Sequence, residues 1–185
     1  MISDYHKCIF IHIPKTAGQS IERVFLDLNN LDWSSRSNLL LRYNPDLSKG
    51  PPRLAHLTAS EYIEYNYISK ENFNQYFKFA IVRDPWERIV SHYLYMVPDK
   101  KIDFYSFLKH IQKNINNIDY YWFLRPQRDF IFKEKELLVD YYGKFEELQN
   151  HFDYICHKLQ ISKYNLPWTN SSNLENDQPI NTYPK

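Results

Sequence analysis

The hydrophobic pattern of the chain changes twice from a short continuous apolar run to a three-to-four-residue period, each time across a proline. The first run, "CIFIHIP", is short and β-branched and ends at Pro14, which predicts a buried strand. "SIERVFLDLNN" follows, with apolar side chains at Ile21, Val24, Phe25 and Leu28. Offsets of three, four and seven residues from Ile21 place these on one face of a helix. The second run, "YFKFAIV", predicts another strand, and "RDPWERIVSHYLYM" a helix reaching about Met96. Asp84 is its N-cap, Pro85 occupies the first helical position, and Glu87 completes a capping box.

Further along, the signals are shorter. Residues 32–55 read as an irregular connection, with "NPDLSKGPPR" as its clearest loop. "HLTASEYIEY" offers Thr58 and Glu61 as a capping box for a short helix from about Ala59. "DFYSFLKHIQKNI" is helical by period, capped by Asp103. "YYWFLRPQRDFIF" is aromatic and ambiguous, broken at Pro126. "LLVDYYG" reads as a strand, and "FEELQNHFDYICHKLQI" as a long helix, apolar at Phe145, Leu148, Phe152, Ile155 and Leu159. Residues 168–185 read as an extended polar tail of a single domain covering 1–185, without internal repeats. Strands alternating with helices imply an α/β fold, a parallel sheet flanked by helices. Ligands bind such sheets beyond the carboxyl ends of the strands, so the loops at 14–20 and 83–85 carry the interest.

Composition narrows the function classes. At 185 residues, 43% of them hydrophobic, the chain is long enough for one domain with a real core. A net charge of +1 argues against a nucleic-acid partner held by bulk charge, while leaving room for a local cationic pocket that suits a small anion. Cys8 and Cys156 match no metal-ligand spacing and read as buried free thiols. No apolar run is long enough for a membrane span, and "MISDYHKC" lacks the pattern of a signal peptide, so the expectation is a cytoplasmic protein.

Two constellations carry chemistry. In "PKTAGQS" a strand-to-helix turn presents backbone N–H groups at a helix N-terminus, where the macrodipole favours anions. Gly18 lets the backbone approach a ligand closely, Lys15 adds a mobile positive charge, and Thr16, Gln19 and Ser20 add donors. The plainer reading is an ordinary turn with a surface lysine. The loop is not a Walker A motif, in which glycine precedes the lysine. In "IVRDPWERIVSHY" Arg83 leaves a strand end and Ser91 follows on the next helix, a fork and a hydroxyl able to grip a terminal phosphate. The alternative pairs Arg83 with Asp84 or Glu87. Of the histidines, His12 reads as a packed core residue, His92 as a second group able to face the crevice, and His56 as a side chain projecting just before a capped helix. Trp33, Tyr120, Tyr121 and Trp122 read as core, with stacking on sugar rings as the other reading.

Together the two motifs resemble the nucleotide-binding signatures of sulfotransferases that use 3′-phosphoadenosine 5′-phosphosulfate. "FIHIPKTAGQSI" is similar to the family's 5′-phosphosulfate loop and "FAIVRDPWERIVSHY" to its 3′-phosphate segment. "HLT" between them and "YGKFEEL" later agree, and the likeness is greatest to the carbohydrate-type branch (sulfotransferase family 2). The resemblance implies a three-layer, P-loop NTPase-like fold. It implies that Lys15 binds the 5′-phosphosulfate and stabilises the leaving oxygen, and that the amides of Thr16, Ala17, Gly18, Gln19 and Ser20 hold the 5′-phosphate. Arg83 and Ser91 would bind the 3′-phosphate, and His56 would be the general base. Arg125 and Gln127 are weaker expectations for substrate contact, with an exposed basic turn as the alternative. The product would be 3′,5′-adenosine bisphosphate, the acceptor a hydroxyl on a glycan or glycoconjugate, no metal would be required, and a homo-oligomer would be able to close the adenine side. Two rivals stay open: a nucleotide-binding module of the same fold with weak or no catalysis, and a kinase-like phosphotransferase.

Overall fold

The computed structural model describes residues 1–99, 101–114 and 122–167. The expected tail at 168–185 and the aromatics Tyr120 and Tyr121 lie outside the described residues. Strands β1 (Ile2–Ser3) and β2 (Cys8–Ile11) lead into helix α1 (Gly18–Leu28). Short helices α2 (Glu61–Glu64) and α3 (Lys70–Gln75) precede β3 (Phe77–Val82), which feeds α4 (Pro85–Met96) and then α5 (Phe104–Lys113). Helix α6 (Gln127–Ile131), β4 (Phe132–Lys133), β5 (Glu136–Leu137), β6 (Tyr141–Lys144) and α7 (Leu148–Lys158) complete the described chain.

The main sheet has the order β1-β2-β3-β6. β2 pairs parallel with β3, and β3 with β6, while β1 adds an antiparallel edge that the hydrophobic pattern did not signal. Alternate residues of the central strands enter different cores. Cys8, Phe10, Phe79 and Ile81 pack with Ile21, Val24 and Phe25 of α1 and with Phe152 and Ile155 of α7. Ile9, Ile11 and Ala80 pack on the other face with Leu54, Leu57, Tyr62 and Phe130. Burial on both faces explains why these strands read as continuous apolar runs rather than alternating ones. Each fully buried Phe or Ile here contributes about 1.5–3 kcal/mol by leaving water. Cys8 and Cys156 are free and buried, as expected, and burial pushes the Cys8 thiol up to about 12.

The caps behave largely as read. The Asp84 carboxylate accepts from the N–H groups of Trp86 and Glu87, and that of Asp103 from Ser106. Thr58 and Glu61 form a reciprocal box, although α2 starts only at Glu61. The Asp84 box is half formed: the Asp84 N–H donates to Glu146, and Glu87 turns towards Arg83 instead. "LLVDYYG" is not one strand. Leu137 belongs to the β4–β5 hairpin, and the sheet strand begins at Tyr141. Asp140 lies between the two, its N–H donating to the Lys78 carbonyl while its carboxylate accepts from the Lys78 N–H at 2.7 Å and pairs with the Lys78 ammonium at 2.8 Å. The late helix opens as a 3₁₀ turn over Phe145–Glu147, and Phe145 still packs against the core that holds Phe152 and Ile155. Trp33, expected in the core, is 43% exposed, with the guanidinium groups of Arg23 and Arg36 against its ring.

Candidate active site

The turn between β2 and α1 is built by backbone conformations that side chains rarely choose. Lys15 and Ala17 both have left-handed φ, 69° and 63°. Thr16 sits between them, fully buried, and its hydroxyl donates to the Ile13 carbonyl at 2.8 Å. The hydroxyl that the sequence offered as a ligand donor thus pins the loop instead. α1 begins without a side-chain cap, and the Ser20 N–H donates to the Ala17 carbonyl at 3.0 Å, so the amides before Ser20 are the ones a ligand in the cleft would meet. Gly18 owes its identity to a neighbour as well as to access: a Cβ there would overlap the His12 ring. Gly18→Ala is expected to destabilise the fold by about 1–3 kcal/mol, the usual cost of overpacking. Urea unfolding checks this; an unchanged midpoint would mean that the His12 ring has another place to rest.

His12 is buried, as expected, yet it lines the cleft. Its Nδ1–H donates to Glu22 on α1 at 2.5 Å, and its ring stacks on Phe10. His56 lies edge-on to His12 at 4.5 Å and donates from Nδ1 to the His12 carbonyl at 3.1 Å. A carbonyl only accepts, so this bond fixes the proton on Nδ1 and leaves the Nε2 lone pair available. Burial first, and then the His12 charge, hold His56 well below the ordinary histidine pKa of 6.5. The imidazole is therefore neutral at pH 7.

From the end of β3, Arg83 reaches the same cleft. Its guanidinium lies 4.1 Å from the Phe145 ring centroid, 3.4 Å from the Lys15 carbonyl and 3.6 Å from Glu87. Its buried Nε has no partner among the described residues. The Lys15 ammonium sits 4.2 Å from the Tyr95 ring centroid. Burial, reinforced by Arg83, lowers its pKa to about 8. One cavity of about 690 Å³ gathers Lys15, Ala17, Gly18, Gln19, Ser20, Arg83, Ser91 and His56. Its walls come from the segments that follow the carboxyl ends of β2, β3 and β6, from the 53–56 turn and the Phe123 segment, and from Leu166 and Pro167 beyond α7.

Arg125 and Gln127 are not brought into this cavity. Arg125 pairs with Glu61 at 3.1 Å. The Gln127 amide brackets the Arg83 main chain, accepting from its N–H at 2.9 Å and donating to its carbonyl at 2.7 Å. Gln127 thus positions Arg83. Arg88 went unnoticed in the sequence. It is buried and donates to the carbonyls of Pro14, Phe123 and Arg125, tying the Lys15 loop to the segment beside α6. Its only sequence signal is a second arginine one helical turn beyond Asp84. Phe145 was read as a helix-face residue, and Glu22 was overlooked among the apolar positions of α1. Among the described residues, no three His, Cys, Asp or Glu side chains are grouped to hold a metal ion, and no helix is long and apolar enough to cross a membrane.

Two cations, a helix terminus without a side-chain cap and a neutral imidazole at the carboxyl edge of a parallel sheet give an α/β protein with a candidate anion site beside a candidate base. The profile of the sulfotransferase family matches residues 1–182, and the chain belongs to that family. It is 35% identical over 91 residues to carbohydrate sulfotransferase 10 of Xenopus laevis, covering 49% of this chain and 23% of that protein. Carbohydrate sulfotransferase 10 of Homo sapiens is 33% identical over 91 residues, with the same shares. An uncharacterized protein of Archaeoglobus fulgidus is 26% identical over 98 residues, 52% of this chain and 78% of that one. The chain thus spans under a quarter of the length of the carbohydrate sulfotransferases it matches. No solved structure matches it significantly.

Proposed function

We propose that this chain is a sulfotransferase that uses 3′-phosphoadenosine 5′-phosphosulfate to sulfate a hydroxyl of a carbohydrate acceptor, on a single three-layer, P-loop NTPase-like domain. The observation that carries this reading is the convergence of Lys15, Arg83, Ser91 and His56 on one cavity of nucleotide size, about 690 Å³. The donor set fits a polyanion: an uncapped helix terminus, a desolvated ammonium and an arginine with an unpartnered buried Nε.

When bound, the phosphosulfate supplies an activated sulfuryl group. The amides of Thr16 to Gln19 hold the 5′-phosphate, the Ser20 N–H being already committed to the Ala17 carbonyl, and Arg83 and Ser91 hold the 3′-phosphate. His56 Nε2 takes the acceptor proton while the acceptor oxygen bonds to sulfur. The bond from sulfur to the bridging oxygen breaks, and Lys15 neutralises the charge growing on that oxygen as 3′,5′-adenosine bisphosphate departs. Positioning and fixed charges do most of the work, by analogy with phosphoryl transfer. A kinase-like rival would place the Thr16 hydroxyl on a magnesium ion; here that hydroxyl is buried and donates to Ile13.

Titration with 3′,5′-adenosine bisphosphate, with ADP alongside, tests the assignment. The wild type is expected to prefer the bisphosphate. Arg83→Ala is expected to weaken that binding roughly 10- to 150-fold, the loss of a charge-assisted hydrogen bond, and to leave ADP affinity little changed. Equal binding of both ligands, indifferent to Arg83, would overturn the 3′-phosphate assignment.

A further inference from the structure

A second cavity of about 420 Å³ opens beside the first and shares Arg53, His56, Tyr95 and Phe123 with it. Its remaining walls include Pro51, Pro52, Met96 and Trp122, so the lining is mostly apolar and aromatic. His92 completes it from α4. That residue is 2% exposed, its ring stacks on Phe123 at 5.1 Å, and neither ring nitrogen has a hydrogen-bond partner among the described residues. A buried imidazole in this state is costly, and a phenyl ring would fill the same slot without that cost. Burial, followed by the charges of Lys15 and Arg88, lowers His92 to about 4. The ring is therefore neutral at pH 7, with one nitrogen donating and the other accepting.

Resting on the sulfotransferase reading, we propose that this second cavity is the acceptor subsite, that it takes an uncharged sugar ring bearing an apolar aglycone, and that His92 hydrogen-bonds a hydroxyl of that sugar. The class follows from the walls. Aromatic faces and two prolines suit the C–H face of a pyranose and a flat apolar substituent. Arg53 is the one charged side chain in the lining, exposed and shared with the first cavity. His56 forms a wall common to both cavities, so a hydroxyl held from the His92 side meets the base on its way to the first cavity. His92 is thus a specificity-determining residue, distinct from the base.

The test uses protein saturated with 3′,5′-adenosine bisphosphate and 4-nitrophenyl β-D-galactopyranoside as the probe, read by calorimetry, with the methyl glycoside as control. The wild type is expected to bind the aryl glycoside in the millimolar range and more tightly than the methyl glycoside. His92→Phe and His92→Leu are expected to weaken aryl glycoside binding about 10-fold, whereas His92→Gln, which still donates and accepts, retains it. Bisphosphate affinity stays unchanged in all three variants, and the melting temperature of His92→Phe rises. That combination, a more stable fold with a weaker acceptor site, is not what a merely structural histidine gives. If His92→Phe fails to fold, His92→Leu decides the outcome. No aryl glycoside binding by the bisphosphate-loaded wild type, or binding indifferent to His92, overturns the proposal alone. A wild type that does not bind the bisphosphate overturns the sulfotransferase reading instead.

Discussion

His56→Ala is expected to lower kcat by about 10²–10⁴-fold, the usual contribution of a positioned general base, and to leave bisphosphate affinity unchanged. The geometry sets that expectation. The Nδ1–H is committed to the His12 carbonyl, so the free lone pair sits on Nε2, in the wall shared by the two cavities. Burial keeps the ring neutral to a pH well below 6.5. The acid limb of kcat/KM should therefore fall below 6.5, where the imidazole finally takes a proton and ceases to act as a base. The same lowered pKa makes the unfolded state bind more protons in that window. The contribution to stability is thus full above 6.5 and is lost as pH falls through the folded-state value. Rates on the acid limb accordingly need a parallel check by near-UV circular dichroism. A His56→Ala protein that turns over at the wild-type rate would remove the base from His56. A wild type that binds the bisphosphate but shows no turnover with any hydroxyl acceptor would favour the binding-module reading.

What the sequence disclosed and what it withheld divide along the distance between partners. β2, α1, β3 and α4 were legible because their signals are local: a proline, a capping aspartate, apolar residues at three- and four-residue spacing. That Lys15 and Arg83 line one cavity was legible because each stands close to a strand end, where an α/β sheet opens its crevice, and Ser91 joins them from the middle of the helix that follows β3. The details that orient them are contacts across the fold, invisible to periodicity. Gln127 lies 44 residues from Arg83, whose main chain it holds, and Arg88 lies 74 residues from Pro14. Asp140, just before the sheet strand, is tied to Lys78, 62 residues away. Gly18 looked like a concession to a ligand, and the fold shows that the His12 ring requires it too. Phe145 packs on the core with Leu148, Phe152, Ile155 and Leu159, as its spacing implied, and what the spacing withheld is its second contact, the Arg83 guanidinium over its ring.

Lys15→Ala is expected to cost about 10²–10³-fold in kcat, the range for losing one preorganised group at a developing negative charge. A second signature separates this role from simple anion binding. Burial, helped by Arg83, lowers the Lys15 pKa to about 8, so in the free protein the amine is only partly protonated at pH 8. A bound phosphate restores the compensating charge and raises the pKa again. Binding of 3′,5′-adenosine bisphosphate at pH 8 should therefore be accompanied by uptake of a fraction of a proton by Lys15. At pH 6.5, where the ammonium is already charged, the Lys15 contribution should vanish. Calorimetry in two buffers of different ionisation enthalpy measures this directly. Subtracting the Lys15→Ala result removes the proton exchange of the ligand itself. The ammonium is already in the cleft and partly stripped of water, so little reorganisation remains when charge appears on the leaving oxygen. If Lys15→Ala takes up as many protons as the wild type at pH 8, the ammonium stands away from the bound anion. Leaving-group stabilisation would then fall to Arg83 and the first amides of α1.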